Sequence, residues 1–244
     1  MPFSDIALAA LGLFFAGIVK GATGLGYSSC ALPFLAAAFG LKMAIVLVVI
    51  PAMVSNLAVM WTAGYLRETL VRFKRFYLST IPGVCVGLFA LTWADQRYSE
   101  VSLGVLIVGY SVYSVFKPTL TLPSHLQGPL QIPAGLLNGF FTGLTGSQVL
   151  PLLPYMLSLR LDPDRFVQAV NMAVTISAAV MVVGLLSYGL MTTPDLLASI
   201  LCIAPAMIGI GLGGQVRRLI PSAHFRVVVL IVLALIGLAL IVGR

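Results

Sequence analysis

The chain of 244 residues is 60% hydrophobic and only 9% charged, with a mean hydropathy of +1.08 and a formal net charge of +7. A soluble domain carries about a quarter charged residues, so this composition excludes a water-covered globule. Apolar stretches recurring end to end describe an all-α polytopic membrane protein in which the basic excess marks cytoplasmic loops; it does not point to nucleic acid.

Apolar runs between polar joints predict ten segments, at roughly 5–21, 27–40, 43–66, 76–93, 101–116, 132–145, 148–159, 166–190, 196–214 and 227–242. The first carries Asp5 where a secretory leader has a basic start, and it runs on without a cleavage site. A helical span needs about 20 apolar residues. Segments 43–66 and 166–190 meet that length, whereas 27–40 and 148–159 are too short to cross upright. Each short segment follows a glycine-rich stretch, read here as a break in the helix. Non-helical backbone at membrane depth survives only where protein or a wet cavity covers it, so both breaks are expected inside the bundle.

The two breaks resemble each other. "GIVKGATG" at 17–24 aligns with "GFFTGLTG" at 139–146, matching Gly17 with Gly139, Gly21 with Gly143, Thr23 with Thr145 and Gly24 with Gly146. Ser55 falls opposite Ser177 at the same offset, and Pro82 opposite Pro205 one residue further on. The order of segment lengths also repeats, which signals a duplication. Loop charge then sets the orientation. "RETLVRFKR" at 67–75 is basic and reads as cytoplasmic, while its counterpart "MTTPD" at 191–195 has no basic residue. The joint 94–100 looks external, and its counterpart 215–226, with Arg217, Arg218 and Arg226, looks cytoplasmic. Opposite bias in equivalent loops predicts two inverted-topology repeats, residues 1–118 and 132–244, joined by a cytoplasmic linker 119–131. About eight to ten membrane segments are expected, including short broken or re-entrant half-helices. Either all five segments of a repeat cross, or the first two form a re-entrant hairpin and three cross.

All seven acids, Asp5, Glu68, Asp95, Glu100, Asp162, Asp164 and Asp195, fall at segment ends or in joints. A carrier of cations places carboxylates at membrane depth; this chain offers none there. Lys20 instead lies away from any polar joint. It either faces a cavity that holds a negative substrate or snorkels from a short helix to the headgroups. If 27–40 starts near Gly24–Ser28, and its counterpart near Gly146–Gln148, two helix N-termini with unpaired N–H groups meet at the repeat interface and favour an anion. The candidate substrate-binding set is therefore Lys20, Gly21, Thr23, Gly24, Gly26, Tyr27, Ser28 and Ser29 in the first half, and Gly143, Thr145, Gly146, Ser147 and Gln148 in the second. Asn56, Asn138 and Asn171 join it as mid-span amides, with tying helices together as their alternative role.

Other features carry no chemistry. Cys30, Cys85 and Cys202 are far apart and read as packing residues, with neither disulfide nor metal implied. His125 and His224 have no ligand partners at metal spacing. The run Gly209-x-Gly211-x-Gly213-Gly214 lacks the strand and acid of a dinucleotide motif and reads as close helix packing. No catalytic set and no cofactor follow, so the chain is not read as an enzyme. Trp61 and Trp93 fit an interfacial belt.

"GLFFAGIVKGATGLGYSSCALPFLA", then "PAMVSNLA", then the echo "GLLNGFFTGLTGSQVLPLLPYML", resembles the sulfite exporter TauE/SafE family over essentially the whole chain. The resemblance implies a multi-pass exporter of the bacterial cytoplasmic membrane for sulfite, sulfoacetate or related anions, with 17–29 and 139–148 lining the pathway. The first repeat has Lys20 where the second has Thr142, an asymmetry suited to selecting one anion. A secondary transporter working by alternating access at a central site is expected, in a form compatible with a homo-oligomer. A carrier of another small anion or neutral solute, or a membrane scaffold subunit, are the rival readings.

Overall fold

Inside a bilayer the backbone has no water to bond to, so a spanning segment satisfies its own N–H and C=O groups as a helix. The computed structural model describes residues 3–23, 26–116, 121–219 and 222–243, with side chains described except at 3–5, 23, 62, 63, 216–219 and 222–228. Among these residues there are helices and no strand. In chain order they are α1 (Phe3–Thr23), α2 (Tyr27–Phe39), α3 (Leu41–Ala63), α4 (Leu66–Arg72), α5 (Lys74–Trp93) and α6 (Gln96–Phe116). After the joint come α7 (Ser124–Gln127), α8 (Gln131–Thr145), α9 (Leu152–Ser158), α10 (Pro163–Ser187), α11 (Thr193–Leu201), α12 (Ile203–Leu219) and α13 (Ser222–Val242). Five stretches, Leu41–Trp61, Lys74–Trp93, Gln96–Phe116, Pro163–Ser187 and Thr193–Gln215, are long and apolar enough to cross a membrane. The fold is an all-α polytopic membrane protein. Trp61 and Trp93, at the ends of α3 and α5, are 91% and 80% exposed, as interfacial anchors are.

Two expectations are corrected. Gly17 and Gly21 do not break a helix, since α1 runs through both, and α8 runs through Gly139 and Gly143. The turns come later, at Gly26 with φ +89° and Gly146 with φ +73°, left-handed conformations that cost glycine least. The second half-helix starts at Leu152 rather than near Gly146–Gln148, and is only seven residues long. Residues 147–149 are irregular backbone instead.

The glycines inside α1 and α8 serve close packing. A Cβ on Gly17 or Gly21 would lie 2.4 Å from the Ala206 carbonyl oxygen or 2.1 Å from that of Ile210, on α12. A Cβ on Gly139 or Gly143 would lie 2.2 Å from the Thr80 oxygen or 2.3 Å from that of Val84, on α5. From the other side, Gly209 and Gly213 meet the carbonyls of Phe14 and Ile18, and Gly83 and Gly87 those of Leu136 and Phe140. Small residues let backbones approach where lipid supplies no hydrophobic drive between helices. The two interfaces share one register: Gly139 and Gly143 follow Gly17 and Gly21 by 122 residues, and Gly209 and Gly213 follow Gly83 and Gly87 by 126. That spacing places Ile208, not Pro205, opposite Pro82. The first helix of each half of the chain thus packs on a helix of the other half. In the middle α3 packs on α10, with α2 against α3 and α6 against α13.

Candidate functional site

On α1 the buried positions Ala9, Leu13, Ala16 and Lys20 fall on one helical stripe. The stripe faces the core, so Lys20, in the last turn, is carried inward and is 3% exposed. It does not snorkel to a surface. Its Nζ donates to Ser55 Oγ at 2.9 Å and to Asn56 Oδ1 at 2.5 Å, both on α3. Ser55 Oγ in turn donates to the Ala52 carbonyl at 2.9 Å, which holds it in place. Neither partner is charged, and the ion pairs among the described residues all belong to Arg165, with Glu68 and Asp162. A buried ammonium with only neutral partners is short of a counter-charge.

Lys20 opens onto a cavity of about 50 Å³. A buried water occupies about 10–15 Å³ on that measure, so the space suits a small oxyanion. Asn56 and Asn171 border it from α3 and α10, Gln148 from the irregular segment after α8, and Gly26, Tyr27, Ser28 and Ser29 from the start of α2. α2 begins at Tyr27 behind Gly26, so its first-turn N–H groups have no partner within the helix and carry the positive end of its dipole. The anion-favouring groups at this cavity are therefore one ammonium, one helix N-terminus and side-chain amides.

A second, smaller cavity of about 20 Å³ adjoins the first across Ser28 and Gln148. Its walls repeat the first cavity at a spacing of 122 residues. Thr142 stands for Lys20, Ala178 for Asn56, and Val48, Val49 and Ala52 stand for Val170, Asn171 and Val174. The positions recur but the chemistry does not: ammonium and two amides face threonine, alanine and valine.

Of the residues expected at the site, Lys20, Gly26, Tyr27, Ser28, Ser29, Asn56, Gln148 and Asn171 share the Lys20 cavity, and Gly146 lines its neighbour. Gly21 and Gly143 lie in helix contacts instead. Thr145 Oγ1 donates to the Phe141 carbonyl and accepts from the Ser147 N–H, ending α8. Asn138 and Ser147 are fully buried, with the Asn138 amide and Ser147 hydroxyl lacking partners, but neither borders the cavity. Gly24 and the Thr23 side chain lie outside the described residues. Sequence reasoning missed Ser55 as the second Lys20 partner. Its adjacency to Asn56 was the available signal, but in a helix neighbouring residues point apart by about 100°, so one amide did not implicate the next hydroxyl.

The family model described as sulfite exporter TauE/SafE matches residues 8–240. The chain belongs to the TauE/SafE family. No curated protein and no solved structure matches it. Membership makes this an integral membrane transport protein of a family described by sulfite export, and gives the uncompensated Lys20 a context: a TauE/SafE protein with a buried cation at a small cavity.

Proposed function

We propose that this TauE/SafE protein is a secondary transporter that exports a small sulfur-containing anion, sulfite or an organosulfonate such as sulfoacetate, across a bacterial cytoplasmic membrane. One observation carries the reading: Lys20 is buried beside a small cavity with Ser55 and Asn56 as neutral partners and, among the described residues, no carboxylate paired to it. A passing anion supplies the missing charge, and the N-terminus of α2 adds to the attraction.

Recurrence of the glycine contacts and of the cavity walls at fixed spacings supports two repeats, 1–118 and 132–244, with 119–131 as linker. The opposed loop charges support their inversion. In such an arrangement the central site is exposed to each side in turn as one repeat rocks against the other. A membrane potential, negative inside, favours outward movement of each negative charge by about 2.3 kcal/mol per 100 mV, so export needs no proton-carrying acid.

Uptake of labelled sulfite, sulfoacetate and taurine into proteoliposomes tests this, with wild type beside Lys20→Met and Lys20→Arg. Saturable flux of a sulfur anion by wild type, lost in Lys20→Met and partly kept in Lys20→Arg, is the expected result. Undiminished anion flux in Lys20→Met overturns the site.

A further inference from the structure

The Lys20 cavity does not stand alone. It meets a chamber of about 250 Å³, sharing Gly26, Ser29 and Leu153 with it. That chamber is walled mainly by hydrocarbon, including Leu157 of α9, Phe166 of α10, and Leu230 and Leu233 of α13. Among the described residues that line the three cavities, Lys20 alone carries a formal charge. A substrate reaching from one into another therefore meets one cationic station, with apolar walls beyond it.

We propose, building on the anion reading above, that the transported species is a one-headed organic anion: a sulfonate monoanion seated at Lys20 whose short hydrocarbon tail lies in the large chamber. The physical reason is the mismatch in size and polarity. The head cavity has room for a small oxyanion and is furnished with donors. The adjoining chamber is about five times larger and offers contact area to CH₂ groups but, among the described residues lining it, no cation to a second anionic group. A charge placed there gives up part of its water without gaining a charged partner among the described residues. An apolar tail gains by leaving water. Among the organosulfonates of the broader reading above, this narrows the choice to alkanesulfonates and away from the dianion sulfoacetate.

The test is competition against uptake of labelled methanesulfonate into proteoliposomes holding the full chain. Ethane-, propane- and butanesulfonate are expected to inhibit progressively better, by roughly fourfold per methylene. Sulfoacetate is expected to inhibit at least about tenfold more weakly than propanesulfonate. Leu157→Trp narrows the chamber at a residue 47% exposed, where a larger side chain is tolerated. It should erase about tenfold of the preference for butanesulfonate over methanesulfonate. A flat chain-length series, or sulfoacetate as good as propanesulfonate, overturns the tail chamber. Lys20-dependent flux of sulfite without any of methanesulfonate does the same while leaving the anion site standing. Wild-type protein that moves no anion overturns both.

Discussion

Lys20 and Asn56 sit on different helices, α1 and α3, and are joined by a hydrogen bond of 2.5 Å from ammonium to amide oxygen. The amide oxygen is a dipole's negative end rather than a charge, so it orients the ammonium without neutralising it. Asn56→Asp should convert this bond into a buried ion pair that competes with the substrate. Sulfur-anion flux is expected to fall at least about tenfold while the protein still folds. Uptake assays together with a melting curve check both halves. Unchanged flux in Asn56→Asp would place the substrate elsewhere.

Gly209, Gly211 and Gly213 look interchangeable in sequence, but the structure separates them. A Cβ at Gly209 or Gly213 would come within 2.2 Å of a carbonyl oxygen of α1, whereas at Gly211 nothing lies within 4 Å. Gly209→Leu and Gly213→Leu should each cost about 1–3 kcal/mol or prevent assembly, because two backbones must move apart. Gly211→Leu should fall within about 0.5 kcal/mol of wild type. Thermal stability in detergent, measured on the three variants side by side, decides the point.

α11 starts with a capping box: Thr192 N–H donates to Asp195 Oδ2 at 3.0 Å, and Asp195 N–H to Thr192 Oγ1 at 3.4 Å. Thr192→Ala removes the acceptor for a first-turn N–H and should destabilise by about 1 kcal/mol, with Thr192→Ser restoring most of it. Hydrogen exchange in residues 193–198 is the direct readout. Protection there unchanged by Thr192→Ala would mean the cap is idle.

The inverted arrangement is open to chemical labelling. Arg67 and Thr193 are both exposed and follow equivalent long segments, yet their loops have opposite charge bias. Single cysteines at the two positions, in a background lacking Cys30, Cys85 and Cys202, should differ toward a membrane-impermeant maleimide on intact cells. Thr193→Cys should react from outside, and Arg67→Cys only after permeabilisation. Reaction of both from one side rules out inversion.

Arg165 contacts Glu68 at 2.7 Å and Asp162, and stacks over the Tyr65 ring at 4.8 Å. These groups are substantially exposed, so the network gains little from its charges in water. Arg165→Ala is expected to lower the melting temperature slightly at low salt. The difference should shrink further at 1 M salt, where the screening length is about 3 Å. A large loss that persists at high salt would point to packing on Tyr65 in place of charge.

Composition and segment lengths determined that the chain is a helical membrane protein, because a bilayer leaves few ways to satisfy a backbone and span lengths are set by its thickness. The observed helices follow the apolar runs closely, with the ninth run divided at Cys202 into α11 and α12. The oddness of Lys20 was legible too, since a cation amid apolar residues stands out in one dimension. Only the tertiary structure decided what the glycines do. Gly21 and Gly143 are spaced like breakers and like contacts alike, and the difference lies in the carbonyls of α12 and α5 that approach them from far along the chain. It also decided that Lys20 meets Ser55 and Asn56, and that one charged cavity has an uncharged counterpart around Thr142. Those facts depend on which faces of α1, α3 and α10 turn toward each other, and helices apolar on nearly every side carry no stripe from which that rotation can be read.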